Sequence, residues 1–469
     1  MFSLALVLIA IVVFYLFYRE KFMYWTIRKV KHDTPIPVFG NFFQVYIARK
    51  SITQKAVEAY RKYPKEKVVG MYIRTIPALV IRDKNIIKQI LTVDFNYFYS
   101  RGLSDKYETE PMFRNPFHAD GDLWRLLRQR MTPAFTSGKL RAMFPLIVDL
   151  AEQLKARALT VAASGNVIDA QDLMARFTID FIGACGFGLD ANSLNEENSA
   201  LRQLGMGIFD SGPIMILKTI LKHIFPVMFK NMKYISKVEK ELIALVKQIL
   251  EQRKYVPSDR NDFIDLLMEC SKLVFIFFAA GFETSSFGMS LTLLQLAYHP
   301  EIQKKVQKEI DRVLAIYDNK LCYDAIKDMT YLSWSFKEST RILPAGGILT
   351  RKCVRPYEFK DLNFSINKGV TILIPVEALH NDPQYFEKPE EFRPERFDPE
   401  QFKKENKYVY LPFGAGPRSC IGEILYYEEK IISEYSPETL RHPVIDPAST
   451  IVQSIKGGIP LIFKERPIS

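Results

Sequence analysis

Cysteine is scarce in this chain of 469 residues, and its five cysteines are scattered without any C-x-x-C pair. Zinc sites and redox motifs use closely paired cysteines, and small secreted scaffolds use an even set of them. An odd, dispersed set argues against a zinc site and against a disulfide framework. The sequence instead predicts a reduced body that faces the cytoplasm, with one special cysteine among four inert ones.

Several other patterns are missing as well. The chain has no glycine-rich dinucleotide fingerprint, no nucleic-acid-binding motif, no internal repeat and no low-complexity tract. We therefore expect no nicotinamide site within the chain and no nucleic-acid partner. The net charge of +11 favours anionic lipid or an acidic protein as the partner of a basic surface.

Residues 2–18 form an apolar run without charge, and no later segment is a second confident membrane span. The length of this run is at the short limit for a transmembrane helix. The run ends in aromatic residues and is followed by lysines and arginines, as is typical of a membrane interface whose positive side is cytoplasmic. The alternative is a cleaved signal peptide, but no small-x-small cleavage site follows. We predict a transmembrane anchor over residues 1–18, and an amphipathic helix over 214–225 that dips into a membrane surface.

The rest of the chain is predicted to be a linker and one large domain. Residues 19–45 are basic and proline-rich, and a Pro-x-Pro pattern before Gly40 predicts a stiff hinge. Residues 46–469 form the main domain, with apolar residues at three- and four-residue steps in its helical stretches. Helices are predicted over 140–158, 172–185, 238–252, 273–296 and 300–316. Strands are predicted within 68–81, 347–353, 370–374 and 458–463. The fold class is therefore mainly α with a minor β-sheet region (α+β).

The strongest chemical pattern is the segment 413–422, which reads FGAGPRSCIG. Two glycines and a proline force a tight loop just before Cys420. A helix-like pattern follows, and sulfur near the N–H groups of a helix start is stabilised as a thiolate, the form that binds a metal. Arg418 is placed to pair with an anionic group. The alternative is an inert cysteine in a surface turn.

A second pattern places polar residues inside an apolar helix. Residues 280–285 read AGFETS and lie within the apolar run 273–296. The Thr284 hydroxyl is predicted to bond to the Ala280 carbonyl, loosen the helix near Gly281 and open a groove. The alternative is a helix with solvent-facing polar residues at this point.

Two charged patterns complete the set. Glu338 and Arg341 lie three residues apart on one predicted helix face, and Trp124 and Arg128 lie four apart on another. Each alone has an ordinary interpretation as a surface ion pair, or as packing next to a solvated charge.

The segment 413–422 resembles the haem-binding loop of the cytochrome P450 family, F-x-x-G-x-R-x-C-x-G, and all five specified positions match. The resemblance implies that Cys420 is the axial ligand of the iron of haem b. It also implies that Arg418 contacts a haem propionate and that Phe413 packs beside the sulfur. Gly422 is the last specified position of the motif.

The other motifs follow in the order typical of that family. The A-G-x-E-T match implies that Thr284 supports proton delivery to bound dioxygen, with Glu283 as its acidic neighbour. The F-R-P-E-R-F match at 392–397 implies that Arg396 joins Glu338 and Arg341 in a buried structural network. Further contacts to the haem propionates are implied for Trp124, Arg128, Arg101 and Arg351.

With the anchor, the hinge and the H-N-D-P stretch at 380–383, the resemblance covers nearly the whole chain. It implies a haem-thiolate monooxygenase of the endoplasmic reticulum membrane that inserts one oxygen atom from dioxygen into a lipophilic substrate. Segments 278–286 and 346–353 are similar to insect microsomal members that oxidise foreign compounds.

The resemblance also implies partners. Electrons would come from NADPH through a separate flavoprotein reductase, with cytochrome b5 as a further partner. A basic docking face is implied for Arg125, Arg130, Lys139, Lys403, Lys404 and Lys407. A substrate pocket is implied for Phe113, Phe117, Phe277, Ala280, Ala345, Ile348 and Ile455.

The sequence departs from the family at two main places. Little room is left between residues 264 and 277, and after Gly422 the usual x-Arg-Phe is replaced by Glu423-Ile424-Leu425. Both look like missing segments of about ten to twenty residues. Two alternatives to an active monooxygenase follow: an impaired or non-catalytic haem-binding relic, and a haem-thiolate enzyme that isomerises peroxides. The Glu283–Thr284 pair argues against the second.

Overall fold

The hydrophobic core lies in two parts, one packed on a small sheet and one among helices. The structure is a computed structural model. It describes residues 2–103, 113–163, 165–196, 199–209, 217–218, 221–222, 225, 227–229, 231–233, 236–252, 271–402, 404–422, 435–439, 443–447, 449 and 452–465.

Helices make up most of the described chain. In the first half they are α1 (Phe2–Phe22), α2 (Tyr24–Ile27), α3 (Phe43–Tyr46), α4 (Ile52–Lys62), α5 (Lys84–Lys88), α6 (Phe95–Phe98), α7 (Gly121–Met131), α8 (Ser137–Ala163), α9 (Ala170–Ile182) and α10 (Ala200–Phe209). In the second half they are α11 (Ser236–Gln252), α12 (Ser271–Tyr298), α13 (Pro300–Ile316), α14 (Tyr323–Asp328), α15 (Thr330–Ile342) and α16 (Val376–His380).

The strands form small sheets. They are β1 (Val68–Ile73), β2 (Ile76–Ile81), β3 (Ile168–Asp169), β4 (Leu349–Lys352), β5 (Tyr357–Phe359), β6 (Phe364–Ile366), β7 (Thr371–Ile374), β8 (Tyr435–Thr439) and β9 (Pro460–Glu465). One sheet has the order β1-β2-β7-β4, in which only the β2–β7 pair is parallel. A second has the order β3-β9-β8, and β5 pairs with β6.

The segment before the first sheet packs against it. Trp25 in α2 is completely buried, and its indole N–H donates to the Met71 carbonyl of β1 at 2.8 Å. The backbone N–H of Asn41 donates to the Tyr72 carbonyl at 2.8 Å. An indole packs well in a core when its N–H finds an acceptor. Part of the predicted linker is thus bonded to the sheet.

The helical core is centred on α12, which packs closely against α9 and α15. This helix is apolar around most of its circumference, as expected for a helix buried on several sides. Several of its buried polar side chains donate to its own backbone. Ser290, for example, donates to the Ser286 carbonyl at 2.6 Å, and Thr292 donates to the Gly288 carbonyl at 2.9 Å.

The predicted fold class, mainly α with a minor β-sheet region, is confirmed. The sheet predicted within 68–81 is the β1–β2 hairpin, and the helix predicted over 300–316 is α13. The helix predicted over 172–185 ends at Ile182 and continues as a π-helical turn, Gly183–Phe187, which widens the backbone. Most of the amphipathic helix predicted over 214–225 lies outside the described residues.

The predicted anchor over residues 1–18 falls within α1. Side chains from Val12 to Phe17 on this helix are exposed. In the part of the chain that the structure describes, no helix is both long enough and apolar enough to cross a membrane. The anchor therefore stays a prediction.

We expect a Trp25→Phe substitution to lower the free energy of unfolding by about 2–3 kcal/mol, because it leaves a cavity and removes the donor to the Met71 carbonyl. Urea unfolding measures this change. Trp334→Phe is the matched control, since Trp334 is only partly buried, and its effect should stay below about 1 kcal/mol. Equal losses for the two variants would contradict the role given to Trp25.

Candidate functional site

A tight loop presents Cys420. The Gly414 N–H donates to the Leu411 carbonyl at 3.0 Å, and the Cys420 N–H donates to the Phe413 carbonyl at 2.8 Å. Between them lies a 3₁₀ turn, Gly416–Arg418. The loop is thus closed on itself by backbone hydrogen bonds, and the Cys420 side chain is exposed.

Gly416 shows why this loop needs glycine. Its φ of +74° lies in the left-handed region, and a Cβ at this position would come within 1.9 Å of the Leu91 carbonyl oxygen. The loop therefore lies directly against the π-helical turn Gln89–Val93. The helix predicted to follow Cys420 lies beyond Gly422, outside the described residues.

Three arginines lie beside the loop. Arg351 and Arg418 are buried, and Nη2 of Arg101 donates to the Arg418 carbonyl at 3.0 Å. Burial and the charge of Arg418 lower the pKa of Arg351 to about 9. Burial and the charge of Arg351 hold the pKa of Arg101 far below its usual range, although the Cys420 sulfur acts in the opposite direction. Positive charge is therefore concentrated next to the cysteine.

The carboxylate of Asp120 partly balances this positive charge. Asp120 accepts from Nη2 of Arg418 at 2.9 Å and from the Ser100 hydroxyl at 2.5 Å. Burial nevertheless lowers the pKa of Arg418 to about 10, against the effect of Asp120. Asp120 was missed in the sequence, where the only signal is an acid four residues before Trp124.

Some arginine donors are left without partners among the described residues. They are Nε and Nη1 of Arg418 and Nε of Arg351, all buried. A buried donor without an acceptor is costly, and an unbalanced buried charge costs more. Carboxylate oxygens match the fork geometry of such guanidinium groups. The residues present therefore fit a group with carboxylates on its edge, as haem has in its two propionates.

Trp124 and Arg128 belong to the same region. The guanidinium carbon of Arg418 lies 4.5 Å from the centre of a Trp124 ring, a cation–π contact. Arg128 is half-buried, and burial lowers its pKa while the nearby Cys420 raises it. The structure thus places both residues of the W-x-x-x-R pattern beside the cysteine loop.

Helix α12 carries the second group of predicted site residues. The Thr284 hydroxyl donates to the Ala280 carbonyl at 2.5 Å, as predicted. Helix α12 is continuous through this stretch, so the predicted loosening near Gly281 does not interrupt the helix. Gly281 instead allows close packing, since a Cβ there would lie 2.8 Å from a methyl carbon of Ile182.

One contact to α12 was missed in the sequence. The Thr178 hydroxyl on α9 donates to the Phe282 carbonyl at 3.1 Å, across 104 residues of chain. It joins α9 to the turn that carries Glu283 and Thr284. Nothing in the local sequence signals this bond, because a buried threonine in a helix is commonplace.

Glu338 is the centre of a buried charge network. It accepts from Nε and Nη2 of Arg341 at 2.8 and 2.9 Å and from Nε of Arg396 at 3.1 Å. The Arg393 N–H adds a fourth bond at 3.0 Å. Glu338 and Arg341 are completely buried. The predicted pair and the predicted third member are therefore brought together.

The predicted pocket residues lie in different parts of the structure. Ala280 is exposed, and the Phe117 ring lies 4.6 Å from the Arg101 guanidinium carbon. Ile348 packs in the core around the sheet, whereas Phe113 and Ile455 pack in the helical core with Ala345 at its edge. The side chain of Phe277 lies outside the described residues.

The predicted basic docking face is only partly described. Arg125, Arg130 and Lys407 are exposed, and Arg125 contacts Asp122 at 3.4 Å. Lys139 is partly buried. Lys403 and the side chain of Lys404 lie outside the described residues.

We expect Glu338→Gln to lower the free energy of unfolding by about 3–5 kcal/mol, because it leaves two buried guanidinium groups without their counter-charge. Urea unfolding with an unchanged slope is the measurement. Glu251→Gln, which removes an exposed carboxylate 3.6 Å from Lys247, is the control and should leave stability unchanged. A loss no larger than that of the control would contradict the network's role.

Burial raises the pKa of Glu283 from 4.5 to about 6. The stability contributed by the neutral acid is therefore present below pH 4.5 and lost as the pH rises through 6. Glu283→Gln has no such loss. Its free energy of unfolding relative to wild type should therefore rise by up to about 2 kcal/mol between pH 4.5 and neutral pH. Urea unfolding at both pH values tests this. Glu251→Gln is again the control, and a pH-independent difference for Glu283→Gln would refute the prediction.

Similarity to known proteins agrees with this geometry. The family model for cytochrome P450 matches residues 30–427. Cytochrome P450 6B2 of Helicoverpa armigera is 33% identical over 492 residues, with 97% of both chains covered. Cytochrome P450 6B1 of Papilio polyxenes is 34% identical over 464 residues, with 90% of this chain and 89% of the relative covered. Probable cytochrome P450 6a23 of Drosophila melanogaster is 34% identical over 447 residues, with the same coverage.

The first of these alignments also bears on chain length. Its 492 positions exceed the whole length of this chain, 469 residues, so the relative has residues that this chain lacks within the match. The two predicted shortenings, before Phe277 and after Gly422, lie largely outside the described residues. The predicted family and the resemblance to its insect members are both confirmed: the chain belongs to the cytochrome P450 family.

Proposed function

We propose that the chain is a haem-thiolate monooxygenase in which the Cys420 thiolate would hold the iron of haem b. The observation that carries this proposal is the exposed Cys420 in a loop that lies beside Arg351 and Arg418. Three buried donors of these arginines, Nε and Nη1 of Arg418 and Nε of Arg351, have no partner among the described residues. When bound, haem with a thiolate ligand supplies the reductive activation of dioxygen, one atom of which enters the substrate while the other leaves as water.

The chain's own residues would hold the cofactor and manage protons. Arg418, Arg351 and Arg101 would bind the propionates, with Trp124 and Arg128 beside them and Phe413 packed near the sulfur. Thr284 keeps the lone pairs of its hydroxyl oxygen free to accept, because its proton goes to the Ala280 carbonyl. Glu283 has a pKa of about 6, so it exchanges protons near neutral pH. Glu338, Arg341 and Arg396 would support the loop structurally.

The substrate class follows from the apolar side chains assigned to the pocket. Such a lining suits lipophilic molecules, foreign or endogenous. The proposed pocket members are Phe113, Phe117, Phe277, Ala280, Ala345, Ile348 and Ile455.

The remaining proposals concern partners and location. Electrons would come from NADPH through a separate flavoprotein reductase, because the sequence has no dinucleotide fingerprint. Cytochrome b5 would be a second electron donor. The exposed basic residues Arg125, Arg130 and Lys407 would meet an acidic partner. We place the anchor at residues 1–18, the linker at 19–45 and the catalytic domain at 46–469, on the cytoplasmic side of the endoplasmic reticulum membrane.

An impaired haem-binding relic is the second candidate, favoured by the residues missing relative to its relatives. A peroxide-isomerising haem-thiolate enzyme is the third. The Glu283–Thr284 pair argues against it, since an isomerisation needs no proton delivered to oxygen.

We expect the reduced, carbon monoxide-treated protein to show the long-wavelength Soret band of thiolate-ligated haem, and Cys420→Ser to abolish it. Cys322→Ser is the matched control. Cys322 caps α14 by accepting the Ala325 N–H at 3.4 Å, and serine caps helices equally well, so the band should persist. A band typical of histidine or thiol ligation in the wild type would overturn the proposal.

Turnover separates the candidates. With reductase, the proposed monooxygenase consumes NADPH in step with substrate oxidation. A relic would show the thiolate band without substrate-dependent consumption, and a peroxide isomerase would convert a lipid hydroperoxide without NADPH.

A further inference from the structure

His380 is a completely buried histidine to which the proposed chemistry gives no role. It lies at the end of α16, and its ring stacks on Tyr410 with centroids 5.3 Å apart. A buried imidazole is costly unless both of its nitrogens are hydrogen-bonded. The partners of this ring therefore indicate what it does.

Both ring nitrogens bond to the backbone. The Leu411 N–H donates to Nε2 at 2.8 Å, so Nε2 carries no proton. Nδ1 lies 3.2 Å from the Arg341 carbonyl and must donate to it. These two bonds define one neutral tautomer. Burial, and next the charge of Arg341, lower the pKa of His380 to about 3, which agrees with a neutral ring.

The two partners belong to different parts of the site. Arg341 is held by Glu338, and its Nη1 donates back to the His380 carbonyl at 2.9 Å. Leu411 begins the loop of Cys420, since its carbonyl accepts the Gly414 N–H at 3.0 Å. A continuous set of hydrogen bonds thus runs from the buried charge network through the imidazole to the start of that loop.

We infer that His380 is a positioning residue that sets the register of the loop carrying Cys420, by accepting the Leu411 N–H while holding the Arg341 carbonyl. The inference rests on the proposed haem-thiolate function. The Leu411 bond is the decisive one, because only it touches the loop. The bond to Arg341 orients the ring.

Two substitutions separate the bonds. In His380→Gln the amide oxygen can take the place of Nε2 and keep the acceptor for Leu411. In His380→Asn the shorter amide can take the place of Nδ1 and keep only the donor to Arg341. The full-length protein is reduced and treated with carbon monoxide, and the thiolate and non-thiolate Soret bands are compared. Hydrogen exchange at the Leu411 amide is measured with and without haem.

We expect His380→Asn to lower the ratio of thiolate-ligated to other haem by about fivefold and to speed Leu411 exchange by a similar factor, the size expected for one lost hydrogen bond. His380→Gln should stay near wild type in both. Tyr410→Phe is the matched control, because it removes another tie to α15, the 3.1 Å bond to the Lys337 carbonyl, without touching Leu411. It should leave the band ratio unchanged.

The outcomes are distinguishable. Equal ratios in wild type and His380→Asn, or a greater loss in His380→Gln than in His380→Asn, would overturn the positioning role. A wild type without any thiolate band would instead overturn the proposed function, and Leu411 exchange in the haem-free protein would still decide the role of His380. If His380→Asn does not fold, a normal band in His380→Gln together with protected Leu411 supports the inference, and loss of either contradicts it.

Discussion

The ion pairs at Glu338 are the interaction on which the site depends. A carboxylate without solvent contact is held by four donors from Arg341, Arg396 and Arg393. The remaining donors of Arg341 bond to the carbonyls of His380, Pro389 and Glu391. Charges buried in this way are stable only when every partner is present. The network therefore joins α15 rigidly to the segments that lead to the cysteine loop.

A second group of charges is balanced differently. Around Cys420 the arginines outnumber their one bonded carboxylate, Asp120, and several of their donors are unpaired among the described residues. Near Glu338 the guanidinium groups of Arg341 and Arg396 find their partners within the protein, in the carboxylate and in backbone carbonyls, which suits a structural role. Near Arg351 and Arg418 the donors left over among the described residues need an added anionic group. The same residue type thus supports the fold in one place and prepares a binding site in the other.

The packing of helix α12 explains the raised pKa of Glu283. Gly281 lets it approach Ile182 on α9, and Thr178 bonds to its backbone at Phe282. These contacts hold the turn that carries Glu283 in a partly buried position. Burial disfavours the carboxylate and brings its pKa close to neutrality. The raised pKa of Glu283 therefore results from how two helices pack.

Local patterns in the sequence predict the elements and the motif residues. Apolar periodicity predicted the helices, β-branched runs predicted the strands, and motif spacing predicted the Cys420 loop, the Glu338–Arg341 pair and the bond of Thr284 to Ala280, because each is a local property of the chain. The tertiary structure alone decided the partners that lie far apart in sequence. Asp120 meets Arg418 across 298 residues, and Thr178 meets Phe282 across 104. It also decided which arginine donors are left unpaired and that α12 stays unbroken at Gly281, because burial and long-range contacts arise only when the elements pack together.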